Sequence, residues 1–134
     1  MNTGKVWRKA GLMACASLDN VDLRLLAMVA PVQERLQMVA RTVYDGPGNV
    51  KLGLEVPNAP ALVDFAIERT GQTLSVQYSL DGRATWVTPS NGTGGSVDIP
   101  DLPASLLVGP AVVSNNISVT STARFDDVKF CVAP

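Results

Sequence analysis

Histidine is absent from this sequence of 134 residues. No Ser-His-Asp or Cys-His nucleophile and no histidine-ligated metal can therefore be built within it. Aromatic residues are scarce, with two Trp, two Tyr and three Phe, so stacking platforms for a ligand cannot be numerous. Charge of neither sign dominates: 11 Lys and Arg stand against 12 Asp and Glu, a formal net charge of −1. The charges are scattered rather than run together, which gives no electrostatic footprint for a nucleic-acid backbone or an anionic membrane. No apolar run approaches the roughly 18 residues of a membrane-spanning helix. The expectation is a chain with no nucleic-acid partner and no membrane partner.

What remains is a chain with 46% apolar residues, 11 Gly and 9 Pro, enough for one core and one domain over 1–134. Lys5, Arg8 and Lys9 precede Gly11-Leu12-Met13-Ala14-Cys15-Ala16 in the manner of a signal peptide, and Leu12-Met13-Ala14-Cys15 approximates a lipoprotein box. The apolar stretch 10–16 contains a glycine and sits at or below the lower end of the roughly 7–15 residues of a signal h-region. A buried strand over 9–17 is the better account. Residues 22–44 are rich in helix formers, but Pro31 would end a first helix after barely eight residues. Leu36, Met38 and Ala40 alternate with Gln37, Val39 and Arg41, so two strands joined near Pro31-Val32-Gln33 are predicted.

The rest reads as β throughout. Asp45-Gly46-Pro47-Gly48-Asn49 is a turn cluster, 50–56 alternates, and Pro57 and Pro60 break the chain. Residues 62–69 and 73–78 form a meander around a 70–72 turn, with Leu74, Val76 and Tyr78 on one face. Residues 92–96 are expected as a flexible loop, and 106–113 and 123–132 as two closing strands. Many short strands separated by turn signals imply an all-β, antiparallel sandwich or barrel.

Ser79-Leu80-Asp81-Gly82-Arg83-Ala84-Thr85-Trp86 resembles the Asp-box of sialidase-type propellers, with Arg83 where that box has its second glycine. Its physics needs only a tight turn, in which Asp81 accepts from backbone N–H groups, Gly82 supplies positive φ and Trp86 covers the hairpin. The box occurs once, so a structural turn is expected rather than a glycan-hydrolysing site. The closest-spaced carboxylates are Asp126 with Asp127, Asp98 with Asp101, and Asp19 with Asp22. Asp126 and Asp127, taken as neighbours on a strand, point to opposite faces and cannot form an acid/base pair. A structural calcium ion on Asp126 and Asp127 with loop carbonyls stands against the blander reading of carboxylates satisfied by backbone or Arg124; no other cofactor is expected. Cys15 and Cys131 lie 116 positions apart on predicted strands. A disulfide closing that loop would contribute about 4–5 kcal/mol, and two buried free thiols are the alternative. Trp7, Tyr44 and Arg69 are the candidates for ligand contact, and Arg41 and Arg69 lie near strand ends, where they either face a polyol or edge a solvated sheet.

Several segments together resemble the concanavalin A-like, laminin-G-like jelly-roll modules of bacterial secreted proteins, the type appended to glycosidases. They are Val6-Trp7-Arg8-Lys9-Ala10-Gly11-Leu12-Met13, the Arg69-Thr70-Gly71 turn after Phe65, Tyr78-Ser79-Leu80-Asp81-Gly82 with Trp86, Val108-Gly109-Pro110-Ala111-Val112-Val113-Ser114, and Ala123-Arg124-Phe125-Asp126-Asp127-Val128, in the family's order over nearly the whole chain. The resemblance implies a jelly-roll sandwich, an extracellular or cell-surface location, and a non-catalytic module that binds a polysaccharide or glycan or supports a neighbouring enzyme domain. Its alternatives are a jelly-roll glycoside hydrolase and a structural or adhesion domain without a small ligand. Two departures matter. Such modules carry further strands before the tryptophan segment, so either a trimmed version of the domain or an N-terminally incomplete copy is expected, with an open sheet edge that a homodimer could cover. Pro110 replaces the usual leucine, which suggests an edge or bulged position.

Overall fold

Alternation decides the fold. In the computed structural model, which describes residues 9–30, 35–47, 50–54, 62–113 and 123–130, the segment rich in helix formers is a pair of strands, β2 (Arg24–Ala30) and β3 (Arg35–Arg41). Their register sets Leu25 against Ala40, Ala27 against Met38 and Val29 against Leu36. Period-2 pairing thus puts one apolar face on both strands at once, which outweighs the local helix propensity. The connection between them lies outside the described residues.

β1 (Lys9–Cys15), β2, β3, β4 (Val50–Leu54) and β8 (Leu107–Val113) form a five-stranded sheet in the order β4-β3-β2-β1-β8. β5 (Asp64–Thr70), β6 (Thr73–Ser79) and β7 (Ser96–Asp98) form a three-stranded sheet in that order. All pairings are antiparallel, and no helix occurs among the described residues. The molecule is an antiparallel β-sandwich. Leu25, Ala27, Leu36, Met38, Ala40 and Leu52 from the large sheet meet Leu74, Val76 and Tyr78 from the small one, with Ile99 and Leu102 closing one end of the core. Each fully buried leucine in that layer contributes roughly 1.5–3 kcal/mol. The register shifts between Met38 and Val39, which face Gly53 and Lys51 respectively. Leu52 is the extra residue of this bulge, and it is fully buried in the core.

Three sequence expectations need correction. β7 was not expected: three residues pairing with Thr73–Ser75 are too few for a periodic signal. The glycine-rich 92–96 segment is not a loose loop. Thr93 N–H donates to Lys51 O at 3.0 Å and Gly95 N–H to Leu52 O at 2.8 Å, while Gly95 O accepts from Val76 N–H at 2.8 Å. Gly95 therefore joins the edge of one sheet to the other. Residues 123–130 contain no strand. Asp127 has φ +53°, which breaks an extended path, and Val128 and Phe130 are exposed. β8, by contrast, is an edge strand as Pro110 suggested, with Pro110 opposite Leu12. Among the described residues the small sheet has two fewer strands, and Leu107, Val108 and Val112 on β8 stay exposed.

Candidate functional site

At one end of the sandwich the β1–β2 and β3–β4 connections are tied together. Asp45 N–H donates to Val21 O at 2.7 Å, and Arg41 donates through Nε to Gly46 O at 3.0 Å and through Nη1 to Asn20 O. Asp45, at φ +56°, turns the chain so that Tyr44 reaches back across the gap. The Tyr44 hydroxyl donates to Asp19 Oδ2 at 2.7 Å, and Asp19 Oδ1 accepts from Val21 N–H at 3.2 Å. Those two donors hold the Asp19 carboxyl below its ordinary range, the Tyr44 bond contributing most. The same bond pushes the Tyr44 phenol above 10.0. Asp22 is held by the Ser17 hydroxyl at 2.6 Å and by Leu23 N–H at 2.8 Å. Tyr44 stays 58% exposed beside exposed Leu18 and Val43. The result is an aromatic ring anchored by its polar tip on a loop rim.

Arg69 lies at the same end. Cys15, at the end of β1, faces Leu107 at the start of β8, so the chain leading into β8 rises from this end. Arg69 binds that chain through Nη1 to Ala104 O at 3.2 Å, and binds the β5–β6 turn through Nε to Gly71 O at 2.8 Å and Nη2 to Gln72 Oε1 at 3.0 Å. Gln72 Nε2 continues to Pro100 O and Leu102 O at 2.8 and 2.9 Å. Arg41 and Arg69 therefore clamp loops rather than presenting free donors. The structure brings Tyr44 and Arg69 to one end of the molecule, while Trp7 lies outside the described residues.

The hairpin after β6 stands at the opposite end. Asp81 Oδ1 accepts from the Ser79 hydroxyl at 2.8 Å and from Thr85 N–H at 2.9 Å, while Ser79 Oγ accepts from Arg83 N–H at 2.9 Å. The Thr85 N–H and the Ser79 hydroxyl, in that order, hold the Asp81 carboxyl below its usual value. Tyr78 and Val87 close the hairpin with reciprocal backbone bonds of 3.1 and 2.8 Å. Gly82 has φ +71°, and Arg83, standing where the Asp-box has glycine, has φ +76°. The backbone the motif requires is kept although the residue is not. Trp86 is 38% exposed and outside the core cluster. Arg83 also reaches two carboxylates, Asp64 Oδ1 at 3.3 Å and Asp127 Oδ2 at 2.9 Å, and so pins the 123–130 segment to the start of β5.

Asp126 and Asp127 are both exposed, and each is paired with an arginine, Asp126 with Arg124 at 3.2 Å and Asp127 with Arg83. Since they do not lie on a strand, the argument from alternating faces does not apply to them. Among the described residues no group of three His, Cys, Asp or Glu is placed to hold a metal ion. Cys15 is a buried free thiol, raised above its ordinary value by burial and then by Asp22; Cys131 lies outside the described residues. Sequence reading missed the Tyr44–Asp19 bond and both Arg83 ion pairs, which join residues 25, 19 and 44 positions apart with no local pattern to mark them. No family model, curated protein or solved structure matches the chain.

Proposed function

We propose that this chain is a non-catalytic β-sandwich module that binds carbohydrate, alone or in support of a neighbouring domain. The observation that carries the reading is the anchored, more than half exposed Tyr44 ring beside Asp19 on the loop rim. An aromatic face for the apolar side of a sugar, next to oxygens that accept from its hydroxyls, is what polyol recognition needs. The carboxylates support a binding role over hydrolysis. Glycoside cleavage needs two carboxyl groups facing a bond about 5–10 Å apart. Here Asp19, Asp22 and Asp81 hold loops, Asp98 accepts from the Thr73 hydroxyl at 2.5 Å, and Asp64 shares Arg83 with Asp127.

A glycan array followed by affinity electrophoresis tests this. The expected result is retention by at least one polysaccharide, weakened about tenfold by Tyr44→Ala through loss of a stacking face. Failure of the folded wild-type protein to bind any polysaccharide would remove the reading. Release of reducing ends from a bound polysaccharide would make the chain a hydrolase instead.

A further inference from the structure

The two sheets differ in width, and among the described residues the difference leaves one flank of the sandwich open. β5 packs over β1, while Gly95 ties β6 to β4 on the other flank. In the order β4-β3-β2-β1-β8, the strand lying past the free edge of β5 is therefore β8. Register fixes its inward face: Val108, Pro110 and Val112 stand opposite Ala14, Leu12 and Ala10, and Ala14 and Leu12 in turn stand opposite the core residues Leu25 and Ala27. Side chains on a core-facing side are normally covered. Here Val108 is 44% and Val112 42% exposed, and Pro110 is exposed between them. Leu12 of β1 and Phe65 and Ile67 of β5, all partly buried, border this apolar shelf.

β5 also has an unused hydrogen-bonding edge. Val76 N–H donates to Gly95 O, and Tyr78 exchanges backbone bonds with Val87, so both residues direct their backbone groups away from β5. Directly opposed residues of an antiparallel pair either bond to each other or both point away. Phe65, opposite Tyr78, and Ile67, opposite Val76, therefore turn their N–H and C=O groups to the free edge, where no described strand or loop takes them. The free edge of β8 is the poorer one, because Pro110 has no N–H to offer. A strand added to β5 at the usual spacing of about 4.8 Å would lie above β8 at the sheet-to-sheet distance of about 10 Å. It would satisfy the edge and cover the shelf at once.

Charge indicates which strand. The outward face of β5 carries Asp64, Ala66 and Glu68. Asp64 shares Arg83, whereas Glu68 has no cationic partner among the described residues. A second copy pairing its own β5 antiparallel about Ala66 would set Asp64 opposite Glu68 twice, and like charges directly opposed are destabilising. A strand with Lys or Arg at those positions is stabilised instead. Its alternate residues face the shelf and must be apolar.

We propose that the free edge of β5 and the inward face of β8 form a docking groove for an added β-strand, an extended peptide of a partner protein that alternates apolar and basic residues. The Tyr44 rim takes no part in this groove, so the proposal does not rest on the carbohydrate reading.

Fluorescence anisotropy tests it with three labelled peptides: KVKVKVK, EVEVEVE, and KVKVKVK N-methylated on its valines. The proteins are wild type, Glu68→Lys, V108K/V112K and the remote control Arg35→Gln. KVKVKVK should bind wild type and slow hydrogen exchange at the Phe65 and Ile67 amides, which should exchange fast in the protein alone. N-methylation and V108K/V112K should each weaken binding at least about tenfold, and Arg35→Gln should change it by no more than about twofold. Glu68→Lys should shift the preference toward EVEVEVE. Unchanged β-type circular dichroism in V108K/V112K separates loss of the groove from unfolding. Undiminished binding of the N-methylated peptide would overturn strand addition, and equal binding of KVKVKVK and EVEVEVE to wild type would overturn the choice of a basic partner. Slow exchange of the Phe65 and Ile67 amides in the protein alone would overturn the proposal, because the edge is then already taken: by another segment of this chain if the protein sediments as a monomer, by a second copy if it sediments as a dimer. Failure of KVKVKVK to bind folded wild type would overturn it too.

Discussion

Arg83 carries two opposed effects. Its φ of +76° is a conformation that costs a non-glycine residue about 1–2 kcal/mol, yet its guanidinium holds Asp64 and Asp127 together. Exposed pairs of this kind contribute only about 0–1 kcal/mol each. Arg83→Ala keeps the strain and loses the pairs, whereas Arg83→Gly loses both. Urea unfolding should find Arg83→Gly more stable than Arg83→Ala by about 1 kcal/mol; equal stabilities would show that the turn is unstrained. Asp81 is the second telling residue. Its carboxyl is held below 3.8 by the Thr85 N–H and the Ser79 hydroxyl, so the folded state binds this proton less readily than the unfolded chain. The stabilisation is complete above pH 3.8 and is lost as pH falls through the lower folded value. Thermal melts should therefore show Asp81→Asn below wild type at pH 7, with the gap closing below pH 3.8. The turn itself was legible, because Asp81, Gly82 and Trp86 are local signals. The distant partners of Arg83 were not.

Among the elements, the strands of five or more residues were readable, the bulged β4 and the Pro110-containing β8 included, and the three-residue β7 was not. β1 follows from a run of small apolar residues, β2 to β6 from alternation and turn residues, and the ambiguity at 22–44 is settled by pairing between strands, which no local propensity encodes. The 123–130 segment misled because Val128 and Phe130 look like core residues, whereas only the contacts decide that they are exposed. The 92–96 glycines look like slack and serve as a joint. Gly95, at φ +83°, bridges Leu52 O and Val76 N–H, and a Cβ there would sit 2.7 Å from Pro89 Cδ and 3.0 Å from Val76 O. Gly95→Ala should cost about 1–3 kcal/mol in urea unfolding. A cost near zero would mean that the two sheets do not depend on this link.

At the scale of the whole molecule, a net charge of −1 conceals a polar distribution of charge. The sequence does hold the trace of it: Asp19, Asp22 and Asp45 fall in or next to turns, while Arg24, Arg35, Arg41 and Lys51 fall within strands, each next in sequence to a core residue, Leu25, Leu36, Ala40 or Leu52. Net charge and charge runs are blind to that pattern, since strand pairing gathers residues that are ten or more positions apart. The loop rim around Tyr44 was legible only as a tyrosine near a turn, because its anchor Asp19 lies 25 positions away. That rim carries the central claim, that this sandwich binds carbohydrate. A glycan array carrying neutral and acidic polysaccharides tests that claim most directly: the account predicts retention that Tyr44→Ala weakens, and a blank array from folded protein would contradict it.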